Sequence, residues 1–178
     1  MINKHLSKRG FTLLETLVAI LILTMAVSAP IYIAGKSLQD ARISKDETTA
    51  YYLAQDAIEY IRYARDSNTL GGQPWLTGLS SCISSDGTAT CTIDSFSGAV
   101  APCDEVCRRL QYDPTANGGY YTYASGNYSI FTRTISIVSP SATIPSANEG
   151  FLTVTVEWID GGTVVHHIQV EEDLLNWQ

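Results

Sequence analysis

SKRGFTLLETLVAILIL, residues 7–23, begins basic, turns apolar at Phe11, and then admits one carboxylate, Glu15, into a run otherwise suited to lipid. On a helix starting at Phe11, Glu15 lies about 6 Å along the axis, at or just inside an apolar layer. A charge at mid-membrane costs about 2.5–3.5 kcal/mol and less towards the ends, so a plain anchor does better with Leu or Val there. The carboxylate needs a partner. From Phe11 to Ala34 it is the sole charge in 24 residues, a length that crosses about 30 Å of hydrocarbon as a helix. Lys8 and Arg9 ahead of the run keep the N-terminus cytoplasmic and send the remainder outward.

A cleaved signal peptide uses the same basic start and apolar run, with Val27-Ser28-Ala29 as its cleavage site. Glu15 interrupts that apolar region, and Pro30 would follow the cut directly. A simple signal anchor accounts for the length and leaves the acid unexplained. KRGFTLLETLVAILIL resembles the N-terminal motif of type IV pilins and of the pseudopilins of type II secretion: a short basic leader ending in Gly, then Phe, Thr, Leu, Leu, Glu and an unbroken apolar helix. The resemblance implies that a prepilin peptidase cuts between Gly10 and Phe11 on the cytoplasmic side and methylates the new amine of Phe11. It also implies a partner for Glu15, the N-terminal amine of a neighbouring subunit in a filament. Pro30 comes slightly earlier than the proline of major pilins, and a helix-interior proline predicts a kink near Ala26 to Pro30.

Beyond the leader, whose Lys4, Lys8 and Arg9 face no acid, the chain holds 8 basic against 18 acidic residues, a balance of −10. Such a body is a poor non-specific binder of nucleic acid, and no nucleic-acid partner is inferred. From Gly35 to Asp66 the pattern becomes amphipathic. Ala50, Leu53, Ala54, Ala57, Ile58, Ile61 and Ala64 recur at three- and four-residue steps and draw an apolar stripe along a helix. Glu59, Arg62 and Asp66 form its charged outer side, and Asn68 with Gly71-Gly72 supplies the stop. YYLAQDAIEYIRYARDSN resembles the helix end of minor pilins and pilus modification proteins.

All four cysteines lie between Cys82 and Cys107, an even count in a loop-rich stretch that favours disulfides made outside the cytoplasm. In CISSDGTATC an Asp86-Gly87 turn pairs Ser85 with Thr88 and, counting outward, Cys82 with Cys91 at a non-hydrogen-bonded site whose close Cα approach suits a disulfide. Cys103 and Cys107 then remain for each other. Four cysteines allow three connectivities, and a zinc site is the alternative use, although neither pair has the two-residue spacing of structural zinc sites. Further on, Ser125 to Asn127 breaks a hairpin between about Tyr120–Ala124 and Tyr128–Val138, and Pro140 to Gly150 reads as a loop. FLTVTVEWI alternates with Leu152, Val154, Val156 and Trp158 on one face. A three-residue loop Asp160-Gly161-Gly162, with Gly162 left-handed, would set Trp158 opposite Val164 and Leu152 opposite Val170. His166 and His167, adjacent on a strand, point to opposite faces and cannot chelate one ion together. The sequence holds no nucleophile elbow, phosphate loop or HExxH.

The expected fold is α+β and pilin-like, a long N-terminal helix packed on an antiparallel meander sheet. The expected organisation is a leader at 1–10, a transmembrane or filament-core helix at 11–34, and an extracytoplasmic domain at 35–178. That domain divides into a helix at 35–66, a disulfide-stapled loop at 67–119 and a sheet at 120–170. By resemblance, the protein is a structural subunit, a minor pilin or pseudopilin, without cofactor, metal or enzymatic activity. Its implied partners are the prepilin peptidase, other pilin subunits and the inner-membrane assembly platform. It would begin as a single-pass precursor in the bacterial cytoplasmic membrane and end in a surface filament. The competing reading is a secreted or anchored monomeric binding module with a conventional signal peptide.

Overall fold

The computed structural model describes residues 10–115, 118–139, 148–161 and 164–176. The leader's Lys4, Lys8 and Arg9, most of the expected loop at Pro140–Gly150, and Gly162 lie outside them. One helix, α1, covers Leu13–Leu70, and the chain divides between Ser44 and Lys45 into two compact units.

In the first unit α1 stays helical on both sides of Pro30. Its large apolar side chains are left uncovered, from 49% exposed at Val18 to 78% at Leu13. Burial in α1 starts only at Ala50.

In the second unit the stripe read from the sequence is the stripe that is buried: Ala50, Leu53, Ala54, Ala57, Ile58 and Ile61. Burying a large aliphatic side chain contributes about 1.5–3 kcal/mol, so this face holds the helix to its sheet. The helix runs past the expected Asp66 to Leu70 and ends in a Schellman turn. Gln73 N–H donates to Asn68 O at 2.8 Å and Gly72 N–H to Thr69 O at 3.1 Å. Gly72 takes φ +68°, the left-handed position that such a stop requires.

Eight strands follow among the described residues: β1 Ile83–Ser84, β2 Cys91–Asp94, β3 Ala99–Pro102, β4 Arg109–Asp113, β5 Tyr120–Thr122, β6 Asn127–Val138, β7 Glu149–Ile159 and β8 Val165–Leu175. β6 is the central strand. Along one edge it pairs antiparallel with β7, from Phe131↔Trp158 to Val138↔Phe151, and β7 pairs with β8. Along the other edge lie β4, then β2 at Ile135, then β1, the last running parallel at Ile83↔Ile137. Core side chains of α1 meet Phe131, Ile135 and Ile137 of β6 and Leu152, Val154, Val156 and Trp158 of β7.

Several expectations are corrected by this topology. The meander is confined to β6-β7-β8. The stretch 67–119, expected as a loop, contains four strands, because its short apolar segments pair with distant chain, β1, β2 and β4 with the long edge of β6. The Tyr120–Ala124 and Tyr128–Val138 segments do not form a hairpin, since β4 lies between β5 and β6. The chain crosses there at Gly126, with φ +114° and so close to Tyr112 that an added Cβ would stand 2.4 Å from its carbonyl oxygen. The β7–β8 register is shifted by two residues from the three-residue loop, with Trp158 opposite His166 and Leu152 opposite Glu172. A shift of two preserves which side chains face inward, so alternation alone did not separate the registers. The observed one stacks His166 on Trp158 at 5.4 Å and places the buried Leu174 opposite Gly150.

Candidate functional site

The residues singled out for processing and assembly lie together at the start of α1. Gly10, Phe11 and Thr12 are outside the helix, which begins at Leu13. The Gly10–Phe11 bond is thus in non-helical backbone. Gly10 is exposed with nothing within 4 Å of an added Cβ, and Phe11 is 75% exposed. Thr12 caps the helix: its Oγ1 accepts the Glu15 N–H at 3.3 Å and its carbonyl accepts the Thr16 N–H at 3.2 Å. Thr12-Leu13-Leu14-Glu15 therefore has the S/T-x-x-E spacing of a capping box, with the acid in the first turn where the helix dipole favours it. The sequence reading took Glu15 only as a partner for an amine and missed Thr12, which the same spacing identifies.

The cysteines all lie in the second unit. Cys82 bonds Cys91 with a Cα separation of 4.9 Å, and Cys103 bonds Cys107 at 4.7 Å. The first bond does not close the expected hairpin. Cys91 lies opposite Ile135, and Ile83 lies opposite Ile137, so Cys82 and Cys91 come together as neighbours along one edge of β6. The Asp86 carboxylate instead makes a local turn, accepting the Thr88 N–H at 3.1 Å. Asp86 is held below the usual carboxylate range, first by the hydroxyl of Thr88 and then by this N–H.

A buried polar network fastens the domain. Arg133 is 1% exposed on β6 between Phe131 and Ile135. Its Nη1 donates to Leu53 O at 2.6 Å and to Asp56 Oδ2 at 2.9 Å, and its Nη2 donates to Ile93 O. Beside it, Asp94 accepts Thr122 Oγ1 at 2.6 Å, the Tyr123 N–H at 3.0 Å and the Phe96 N–H at 3.1 Å. Burial pushes the Asp94 carboxyl up, but these bonds and that from Ser97 outweigh it and hold it below its ordinary range. On the outer side of α1, Arg62 reaches Glu59 at 3.0 Å and Glu172 at 2.8 Å, while Asp66, expected as its partner, is taken by Arg65. No group of three or more His, Cys, Asp or Glu is placed to hold a metal among the described residues. His166 and His167 do face opposite ways. His166 stacks on Trp158, with Nε2 3.4 Å from Asp160 Oδ2 but outside hydrogen-bond geometry.

The family model of the prokaryotic N-terminal methylation motif matches residues 6–29. No curated protein and no solved structure matches the chain. The matched residues span Gly10 and Phe11, the cap and much of the exposed apolar part of α1, and the helix continues into an α+β domain with an antiparallel sheet. The motif, at the start of a helix whose apolar side chains are left uncovered, supports a type IV pilin-like protein with prepilin-type processing.

Proposed function

We propose that this protein is a minor pilin or pseudopilin, cut by a prepilin peptidase between Gly10 and Phe11, methylated at Phe11, and assembled through α1 into a filament with other pilin subunits on an inner-membrane platform. The observation that carries the reading is the coincidence of the methylation motif at 6–29 with an apolar helix face that is exposed from Leu13 to Ile33. Such a surface suits lipid in the precursor and other apolar helices in an assembly, which fits a membrane-anchored start with a cytoplasmic N-terminus and a later place on the cell surface. The role is structural, with no chemistry of its own.

Glu15 has two tasks in this reading, and their energies separate them. As the N3 residue it supports the helix start, a local effect of about 0.3–1 kcal/mol at an exposed site. In a filament core it would meet the buried amine of Phe11 from a neighbour, and a pair at about 4 Å with an effective dielectric near 20 is of order 4 kcal/mol. Assembly is therefore the step that loses most without the charge. Glu15→Gln should be inserted, cleaved and stable, yet poorly incorporated into sheared filaments. Mutant subunits found in filaments at the natural level would remove the intersubunit role.

A further inference from the structure

Beside α1, within the sheet-bearing unit, Tyr52, Asp56, Phe96, Tyr120 and Tyr121 line an open cavity of about 520 Å³. A second cavity of about 280 Å³ shares Asp56 and Ser95 with it and continues to Tyr60 and Tyr63, so the two make one groove along the helix. Its rings are displayed instead of being packed away: Tyr52 is 68% and Phe96 72% exposed. Phe96 is also held in place. Phe96 stacks on Tyr120 with centroids 4.5 Å apart. The turn carrying Phe96 is pinned by Asp94, whose Oδ1 accepts the N–H groups of Phe96 and Ser97, and by the Tyr60 hydroxyl, which donates to Gly98 O at 3.0 Å. An exposed aromatic platform on a preorganised turn loses little entropy when a ligand covers it.

Charge selects among ligands. No Lys or Arg lines either cavity, so an anion finds no counter-charge. Asp56, the carboxylate of the larger cavity, has its Oδ2 matched by Arg133 and Ser95, so a cation gains little there; Glu59, in the smaller cavity, shares Arg62 with Glu172. What the groove offers is aromatic faces flanked by the hydroxyls of Thr49 and the tyrosines, with Asp56 Oδ1 carrying neither of the bonds made by Oδ2. An apolar face bordered by hydrogen-bonding groups is the complement of a pyranose, whose C–H face stacks on rings while its hydroxyls bond at the rim. We infer that this groove binds a neutral sugar residue, with Phe96 and Tyr52 as its stacking platform. The inference does not rest on filament assembly.

Saturation-transfer NMR on the full chain tests it, in a detergent without a sugar headgroup, with methyl β-galactoside, methyl α-mannoside and methyl β-N-acetylglucosaminide as probes and choline and acetate as charged controls. At least one glycoside should receive saturation. Its binding should weaken about tenfold in Phe96→Ala and Tyr52→Ala, and persist in Phe96→Trp, which keeps an aromatic face. Both alanine sites are exposed, so circular dichroism should show the fold intact. No transfer to any of the three glycosides at millimolar concentration, equal transfer in the alanine variants, or transfer to choline or acetate alone would overturn the assignment.

Discussion

Arg133 occupies a position at which alternation asks for an aliphatic residue: Phe131, Ile135 and Ile137 share its face and are buried. Its guanidinium replaces water with the carbonyls of Leu53 and Ile93 and the carboxylate of Asp56, tying α1 to β2 through β6. Removing one member of such a cluster strands the others, at a cost of about 3–5 kcal/mol, and truncation adds the cost of the cavity it leaves, which a side chain of similar volume avoids. Arg133→Ala should therefore lower the urea midpoint much more than Arg133→Met, since Asp56 remains half exposed and water can serve it. Equal losses for the two substitutions would show that the lost hydrogen bonds, and not the filled volume, set the cost there. Asp94 adds a pH dependence. Its folded pKa lies below the unfolded value of about 3.9, so its contribution is full above that pH and fades as pH falls through the folded value. Asp94→Asn should cost about 1.5–3 kcal/mol at neutral pH, and the gap from the natural protein should narrow below about pH 3.9. A constant gap measured by urea unfolding across pH would contradict this. The charge of Arg133 in an apolar register stands in FTRTISIV, but the sequence reading passed over it. That Asp94 would meet Thr122 and Tyr123 was not visible, because nothing local encodes contacts 28 and 29 residues away.

At the level of elements, local signals were legible and long-range pairing was not. The stripe from Ala50 to Ile61 and the Gly71-Gly72 stop specify α1 in the domain without reference to the rest of the chain. β1, β2 and β4 are five residues long at most and gain their identity from the edge of β6, so no periodicity could reveal them. The Cys82–Cys91 bond shows both sides: the right residues emerged from counting out of a turn, although the geometry that joins them is shared pairing to β6. That bond closes a short loop, which places it towards the lower end of the usual 2–4 kcal/mol or so. Both sulfurs are wholly buried. In Cys82→Ser, Cys91 should resist thiol reagents until the domain unfolds, while Cys103 and Cys107 stay linked. Rapid native labelling of Cys91 in that variant, or a peptide map joining it to Cys103 or Cys107, would refute the arrangement.

Across the whole chain, α1 has two kinds of surface. From Ala50 onward its apolar stripe is satisfied by the sheet, and before Ser44 its apolar side chains are exposed and suited to lipid or other helices. Hydropathy placed this change between Ala34 and Gly35, ahead of the division at Ser44–Lys45, because the polar residues that follow Gly35 are not yet covered by the sheet; the processing motif was legible because it needs only Gly10, Phe11 and Glu15 in order. The fate of the N-terminus decides between a pilin-like subunit and a conventionally secreted module. The direct measurement is the intact mass of the full chain, extracted from membranes of cells with and without a prepilin peptidase. With the peptidase, the account predicts a chain that lacks residues 1–10 and carries one added methyl group at Phe11, and without it the uncut precursor. A chain beginning at Pro30, or shortening that does not depend on the peptidase, would contradict it.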